Sequence, residues 1–313
     1  MIVKRHGRRV LKRAAPLLAA ALTLVAVPAA AASPYSDINA AAASSPVTVQ
    51  RLRGNISMLQ GSGGNISVLT GSDGLFMVDA GIAVSQRKIL AALRSIGPGS
   101  PRYVINTHWH WDHTDGNGWV RRTGATIIAD RKTVRHLNET VPVTEWEHTF
   151  QPVAKADLPN QILNGDRTMR WDGEIIRIRG YQPSHTDGDL SVYFTKADVL
   201  ATGDTFWNGV YPFIDYAAGG SIDGSIRVAI ANIAMAGANT MVVPGHGPLG
   251  DRAQLVAFRD MLVDVRRKVA TLKAQGKSLN QVVAAKPTAV YDAKWGGSVI
   301  SGPLFTELVY RGV

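Results

Sequence analysis

The run Thr107-His108-Trp109-His110-Trp111-Asp112-His113 decides how this chain is read. It places three imidazoles and a carboxylate within six positions, and both groups are ligands that suit Zn²⁺ and related first-row metals. The apolar stretch Tyr103-Val104-Ile105 just before it reads as a strand. In an extended chain the side chains at i and i+2 point the same way, so His108 and His110 reach one metal together. Asp112 and His113 come after the expected turn and face a second metal nearby. Trp109 and Trp111 alternate with the ligands and read as core residues. The isolated histidines His136 and His148 read as structural.

Working outward, short apolar runs broken by glycine and asparagine precede this segment: Val47–Leu52, Ile56–Leu59, Ile66–Leu69 and Leu75–Val78. Gly71-Ser72-Asp73-Gly74 marks a hairpin between the last two. Helical spacing of Ile89, Leu90, Leu93 and Ile96 predicts a helix over 83–96 that stops at Gly97-Pro98. A short helix at 117–123 and a strand at 125–129 follow. Residues 131–165, with Pro142, Pro152 and Pro159, read as irregular and as a lid over a site. Strands resume at 174–179, 190–195 and 198–202. A helix at 223–236, a strand at 240–243 and a long amphipathic helix over 251–274 complete the pattern. It predicts an α/β chain with two sheets packed face to face and helices outside.

Residues 1–32 read as a signal peptide: Lys4, Arg5, Arg8, Arg9, Lys12 and Arg13 without an acid, an apolar run Ala14–Val27, then Pro28 and the small residues Ala29–Ala32. The apolar run is short beside the ~20 residues of a spanning helix, so no stable membrane insertion is expected after cleavage. Arg8-Arg9-Val10-Leu11-Lys12 partly resembles a twin-arginine export signal. Residues 33–46 read as a flexible linker and 47–313 as one hydrolase domain. Removing the six leader cations from the formal net charge of +10 leaves +4, which gives no reason to expect a nucleic-acid partner. The chain has no cysteine, so no thiolate zinc site exists. Periplasmic or secreted localisation follows from the leader.

Three later segments place further ligands beside glycines: Ser184-His185-Thr186-Asp187-Gly188-Asp189, Thr202-Gly203-Asp204-Thr205 and Val243-Pro244-Gly245-His246-Gly247. With His108-Trp109-His110-Trp111-Asp112-His113, they resemble the metallo-β-lactamase-fold hydrolase superfamily in residue type and in order. Met77-Val78-Asp79-Ala80-Gly81 resembles that superfamily's first motif, whose aspartate supports the metal loop. The resemblance spans about Val47 to Asp251. It implies an αββα sandwich of two mixed β-sheets with the site at one edge.

The resemblance also implies a ligand set. His108, His110 and His185 would hold a first metal, Asp112, His113 and His246 a second, and Asp204 would bridge them, as in the glyoxalase II and lactonase branches. Asp204 departs from the β-lactamases that use cysteine at that place. The histidine at 110 departs from the flavodiiron branch, which has glutamate there. Two Zn²⁺ ions are expected, with Fe or Mn as other first-row occupants. The implied activity is an exported binuclear zinc hydrolase that uses metal-activated water on a carbonyl bond of a small molecule, as an ester, thioester, lactone or lactam. Asp112 is the candidate catalytic residue, as a ligand that also takes a proton. A β-lactamase proper, a mononuclear-iron persulfide dioxygenase and a non-catalytic metal binder are the rival readings.

Around the site, Asp79, Thr107 and Thr186 are candidates to orient the imidazoles. Asp115 and Asp187 read as loop-shaping, and Asp189 as satisfying turn backbone groups. Phe206, Trp207, Tyr211 and Phe213 form either a pocket wall or ordinary packing, and Trp146 belongs to the lid. Gly61-Ser62-Gly63-Gly64 lacks the Gly-Lys-Ser/Thr of a phosphate loop and reads as a hairpin tip at the rim.

Overall fold

A computed structural model describes residues 1–2, 33–181 and 183–313. The leader expected over 1–32 lies almost wholly outside the described residues. From Ser33 onward the chain forms one compact unit.

The first sheet has seven strands in the order β1 (Thr48–Arg51), β2 (Ile56–Gln60), β3 (Ile66–Gly71), β4 (Gly74–Val78), β5 (Pro101–Ile105), β6 (Thr126–Asp130) and β9 (Gln161–Leu163). It is antiparallel from β1 to β4 and parallel from β4 to β9. β7 (Val141–Val143) and β8 (His148–Phe150) form a separate hairpin. The second sheet runs β10 (Arg167–Trp171), β11 (Glu174–Gly180), β12 (Leu190–Phe194), β13 (Val199–Ala201) and β14 (Met241–Val243). Only its β13–β14 pair is parallel.

Burial explains the strand sequences. β4 is buried at every position and reads as a continuous apolar run, because helices cover its outer side and the second sheet its inner side. β11 alternates: Glu174, Ile176 and Ile178 are buried while Arg177 and Arg179 are exposed. Ile56, Met58, Phe76, Val78 and Ile105 of the first sheet meet Ile176, Ile178, Val192 and Phe194 of the second in one core. On the far side of the first sheet, Ile89, Ala92, Leu93 and Ile96 form the buried stripe of α2 (Gln86–Ile96). On the far side of the second lie α6 (Ile222–Met235), α7 (Arg252–Ala274) and α10 (Gly302–Arg311). An Asp251–Gln254 capping box starts α7. The remaining helices are α3 (Trp111–Thr114), α4 (Asn117–Arg122), α5 (Arg131–Leu137), α8 (Leu279–Ala284) and α9 (Ala289–Trp295). The result is the expected αββα sandwich.

Two expectations fail. Residues 33–46 are not a flexible linker, because Pro34–Ser44 form helix α1. Ser33 caps it through the Ser36 N–H, Pro34 occupies the first turn, and the alanines that follow are the strongest helix formers. Its C-terminal carbonyls are gathered by Lys88, whose Nζ lies 2.7 Å from Ala42 O and 3.0 Å from Ala43 O and also bonds Ser45 O. The segment 131–165 is not irregular either. Asp130 accepts from Lys132 N–H to cap α5, the β7–β8 hairpin follows, and β9 extends the first sheet. Pro142 fits because a two-stranded hairpin leaves edge positions that need no N–H. β10 was also unread, since its half-buried alternation carries Arg167 and Arg170.

Candidate metal centre

The strand ends of both sheets converge at one edge. Asp79 follows β4, residues 106–113 follow β5, His185 precedes β12, Asp204 follows β13 and His246 follows β14. Backbone bonds tie these segments across the sandwich: Leu190 N–H donates to Thr107 O at 2.8 Å and Asn65 N–H to Gly245 O at 2.8 Å. Glycine is required where the segments cross. A Cβ on Gly64 would sit 2.3 Å from the His113 ring, and one on Gly245 would sit 1.9 Å from Asp204 Oδ1.

All seven expected ligands meet there in two groups. One holds His108, His110, His185 and Asp204; the other holds Asp112, His113 and His246. Asp204 reaches both, with Oδ2 3.4 Å from His185 Nε2 and Oδ1 3.1 Å from His113 Nε2. Six of the seven are buried; His246 alone is partly exposed, at 20% for its side chain.

The outward nitrogens of the imidazoles are committed to the protein. His110 Nε2–H donates to Asp215 Oδ2 at 2.9 Å. His185 Nδ1–H donates to the carbonyl of Phe213 at 2.8 Å, and His113 Nδ1–H to Asp79 Oδ2 at 2.8 Å. The Thr107 hydroxyl donates to Asp79 Oδ2, which leaves its oxygen to accept from His108 Nδ1–H at 3.0 Å. Asp79 adopts φ 67°, a left-handed conformation that aspartate tolerates better than most residues. It also accepts from Thr107 N–H at 2.7 Å. One carboxylate thereby orients His113 directly and His108 through Thr107.

Tautomers fixed in this way turn lone pairs inward. His110 Nδ1 and His185 Nε2 face each other at 2.9 Å. His108 Nε2 is buried without a hydrogen-bond partner among the described residues. Buried lone pairs in contact with no proton between them are costly, and a cation among them removes the cost. The donor set therefore fits metal ions, with His110 presenting Nδ1 and the other imidazoles Nε2. Electrostatics divide the imidazoles. Burial, then the neighbouring His113, drives the His108 pKa well below the ordinary histidine value, and burial brings His185 down to about 4. Both stay neutral and ligand-ready. Burial opposes charge on His113, but Asp204, Asp112 and Asp79 raise its pKa well above the ordinary value. Burial also opposes charge on Asp204, yet His246, His113 and His108 hold it well below the usual carboxylate range.

The supporting residues differ in part from expectation. Asp79 and Thr107 orient imidazoles, whereas Thr186 bonds Asp189 and touches none. Asp189 accepts the Thr186 N–H and hydroxyl, which serves the turn. Asp187 pairs with His136 at 2.8 Å, so that histidine is structural. His148 stacks on Tyr35. Asp115 is exposed beyond α3. Asp215 was missed. It is fully buried, accepts from His110 and from Trp109 Nε1–H, and is kept ionised by His110 against the effect of burial. Its one signal was an acid in the apolar stretch 206–220, which contains no Lys or Arg to pair with it.

His110, Asp112, Asp204 and His246 form the floor of a cavity of ≈ 250 Å³. Trp111, Trp146, Trp207 and Phe213 form much of its wall, and Ile38 of α1 and the tip Gly61-Ser62-Gly63 form part of its rim. Trp111 thus contributes to the pocket as well as the core. Phe206 and Tyr211 are packing residues, the latter stacked on Phe305 and bonded to Asp292 at 2.9 Å.

The family model described as the metallo-beta-lactamase superfamily matches residues 59–246. A probable metallo-hydrolase of Methanocaldococcus jannaschii is 30% identical over 184 residues, 56% of this chain and 84% of that protein. A hydroxyacylglutathione hydrolase of Rhodospirillum rubrum is 26% identical over 50% of this chain and 52% of its own length, so the chain spans about half of that relative. Among solved structures, a sec-alkylsulfatase from Pseudomonas sp. superposes with a TM-score of 0.63 at 16% identity, over 85% of this chain and 50% of that one. A metallo-beta-lactamase from Pontibacter korlensis gives 0.55 at 17% identity, over 70% and 99%. Motifs, fold and relatives agree: the chain belongs to the metallo-beta-lactamase superfamily and is one of its metallo-hydrolases.

Proposed function

We propose that this protein is an exported binuclear zinc hydrolase that cleaves a carbonyl bond, as an ester, thioester, lactone or lactam, in a small molecule. The observation that carries the reading is the convergence of seven donors into two adjoining groups that share Asp204 at the floor of a cavity. His108, His110 and His185 would hold one ion and Asp112, His113 and His246 the other, with Asp204 between them. When bound, such ions lower the pKa of water to ~7 and polarise a substrate oxygen. The hydroxyacylglutathione hydrolase relatives support thioesters or esters as the bond type.

The residues around the donors supply orientation and dryness. Asp215, the Phe213 carbonyl, Thr107 and Asp79 fix the rings, so the donor atoms need little rearrangement on binding. Trp111, Trp207 and Phe213 exclude bulk water from the floor, which strengthens every polar interaction there. Asp112 lines the cavity, with Oδ2 3.3 Å from His246 Nε2. It would accept the proton of the attacking water and return it to the leaving group. The complete second group of donors favours this chemistry over a single-iron dioxygenase.

Reconstituting metal-free protein with Zn²⁺ and assaying esters, thioesters, lactones and lactams tests the reading. Turnover that appears with zinc and vanishes with a chelator is expected. Protein that carries two zinc ions yet hydrolyses none of the four classes would overturn it. For export, the mature protein recovered from an expressing bacterium is expected outside the cytoplasm with its N-terminus at or near Ser33.

A further inference from the structure

We infer that the site selects an uncharged substrate with an apolar body, and disfavours one that carries a carboxylate away from the scissile bond. This rests on the hydrolase reading and narrows its substrate class. Beyond the ligand cluster, none of the described residues lining the cavity is a lysine or an arginine. An anionic group brought against these walls would lose its hydration without gaining an ion pair. Glutathione thioesters and common β-lactam drugs both carry such a group.

What the walls offer instead is apolar surface. Trp111, Trp146 and Trp207 are each about 95% buried, at 5%, 4% and 5% exposure. Their indole Nε1 atoms are buried within the wall and have no hydrogen-bond partner among the described residues. By contrast, Trp109, which does not line this cavity, spends its N–H on Asp215. Aromatic walls of this kind suit the apolar body of an uncharged molecule. The wall's own amides are occupied: Asn65 Nδ2 donates to Pro244 O and Gly247 O at 3.0 Å, and Gln60 Nε2 to Gly247 O at 2.8 Å. Val299, half exposed at the cavity, adds apolar surface at the mouth.

Matched 4-nitrophenyl esters and lactones, each with an alkyl chain ending either in a methyl group or in a carboxylate, test this with the zinc-loaded protein. The methyl-ended members are expected to show kcat/KM higher by about tenfold or more. A second readout is the indole fluorescence change on binding the corresponding hydrolysis-resistant amides, where the same preference is expected in Kd. In V299R the gap is expected to narrow, because the new guanidinium gives the carboxylate a partner. Equal or tighter binding of the carboxylate-ended amide by the wild type would overturn the inference, even if both esters are hydrolysed. Preferential binding of the methyl-ended amide without turnover of any ester or lactone would leave the inference standing and count against the hydrolase reading.

Discussion

The two donor groups at the sheet edge are built to different standards. In the group of His108, His110 and His185, every outward nitrogen has a protein acceptor and every ring is buried. In the group of Asp112, His113 and His246, only His113 is anchored as firmly, through Asp79. His246 leans on the Trp207 ring at 4.2 Å and is partly open to the cavity. Rigid, dry donors pre-organise a site, whereas a donor at the cavity wall leaves freedom for substrate to enter. The first group is therefore expected to hold its ion more tightly, and the second to be the one that exchanges.

The largest effect is expected where the difference is erased. Asp204 touches both groups, so Asp204→Ala should abolish detectable hydrolysis and lower bound zinc in both, as measured by metal analysis and steady-state assay. Next comes the exposed ligand. His246→Ala is expected to leave one firmly held ion per chain and to lose most of the activity; two ions retained would remove the distinction. A smaller loss should follow from the supporting carboxylates. Asp215→Asn should weaken zinc binding to the buried group by ~10–100-fold, and Asp79→Asn should act mainly through His113 and the second group. Competition with a chromophoric chelator separates the two.

The smallest effect concerns the rim. Lys88→Ala removes the cation at the C-terminus of α1, which is worth about 0.3–1 kcal/mol, so a drop of a few degrees or less in Tm is expected. KM should rise through the loosened Ile38 while zinc content stays unchanged. An altered metal content would tie α1 to the centre more closely than its contacts do.

The legibility of these parts followed the physics of each signal. The ligands were readable because chemistry restricts their types and strand ends restrict their spacing. Asp79 was readable for the same reason. Asp215 was not, because its partner His110 is 105 positions away and only folding brings them together. β2, β3 and β4 of the first sheet were plain in the sequence as apolar runs, being largely buried. β10 was hidden by its arginines, and the 131–165 elements are too short to show a period. α1 was misread because Ser, Pro and Ala occur both in linkers and at helix starts, and the deciding contact, Lys88, lies more than forty residues downstream. The three unpaired indoles, too, could not be seen before their surroundings were known.

Direct titration of metal-free protein with Zn²⁺, followed by metal analysis after gel filtration, bears on the centre most plainly. Two ions per chain taken up with unequal affinity, falling to one or fewer in His110→Ala and in His113→Ala, is the expected result. Less than one ion bound by the wild type, or uptake unchanged in both variants, would mean that these imidazoles converge for some purpose other than holding metal.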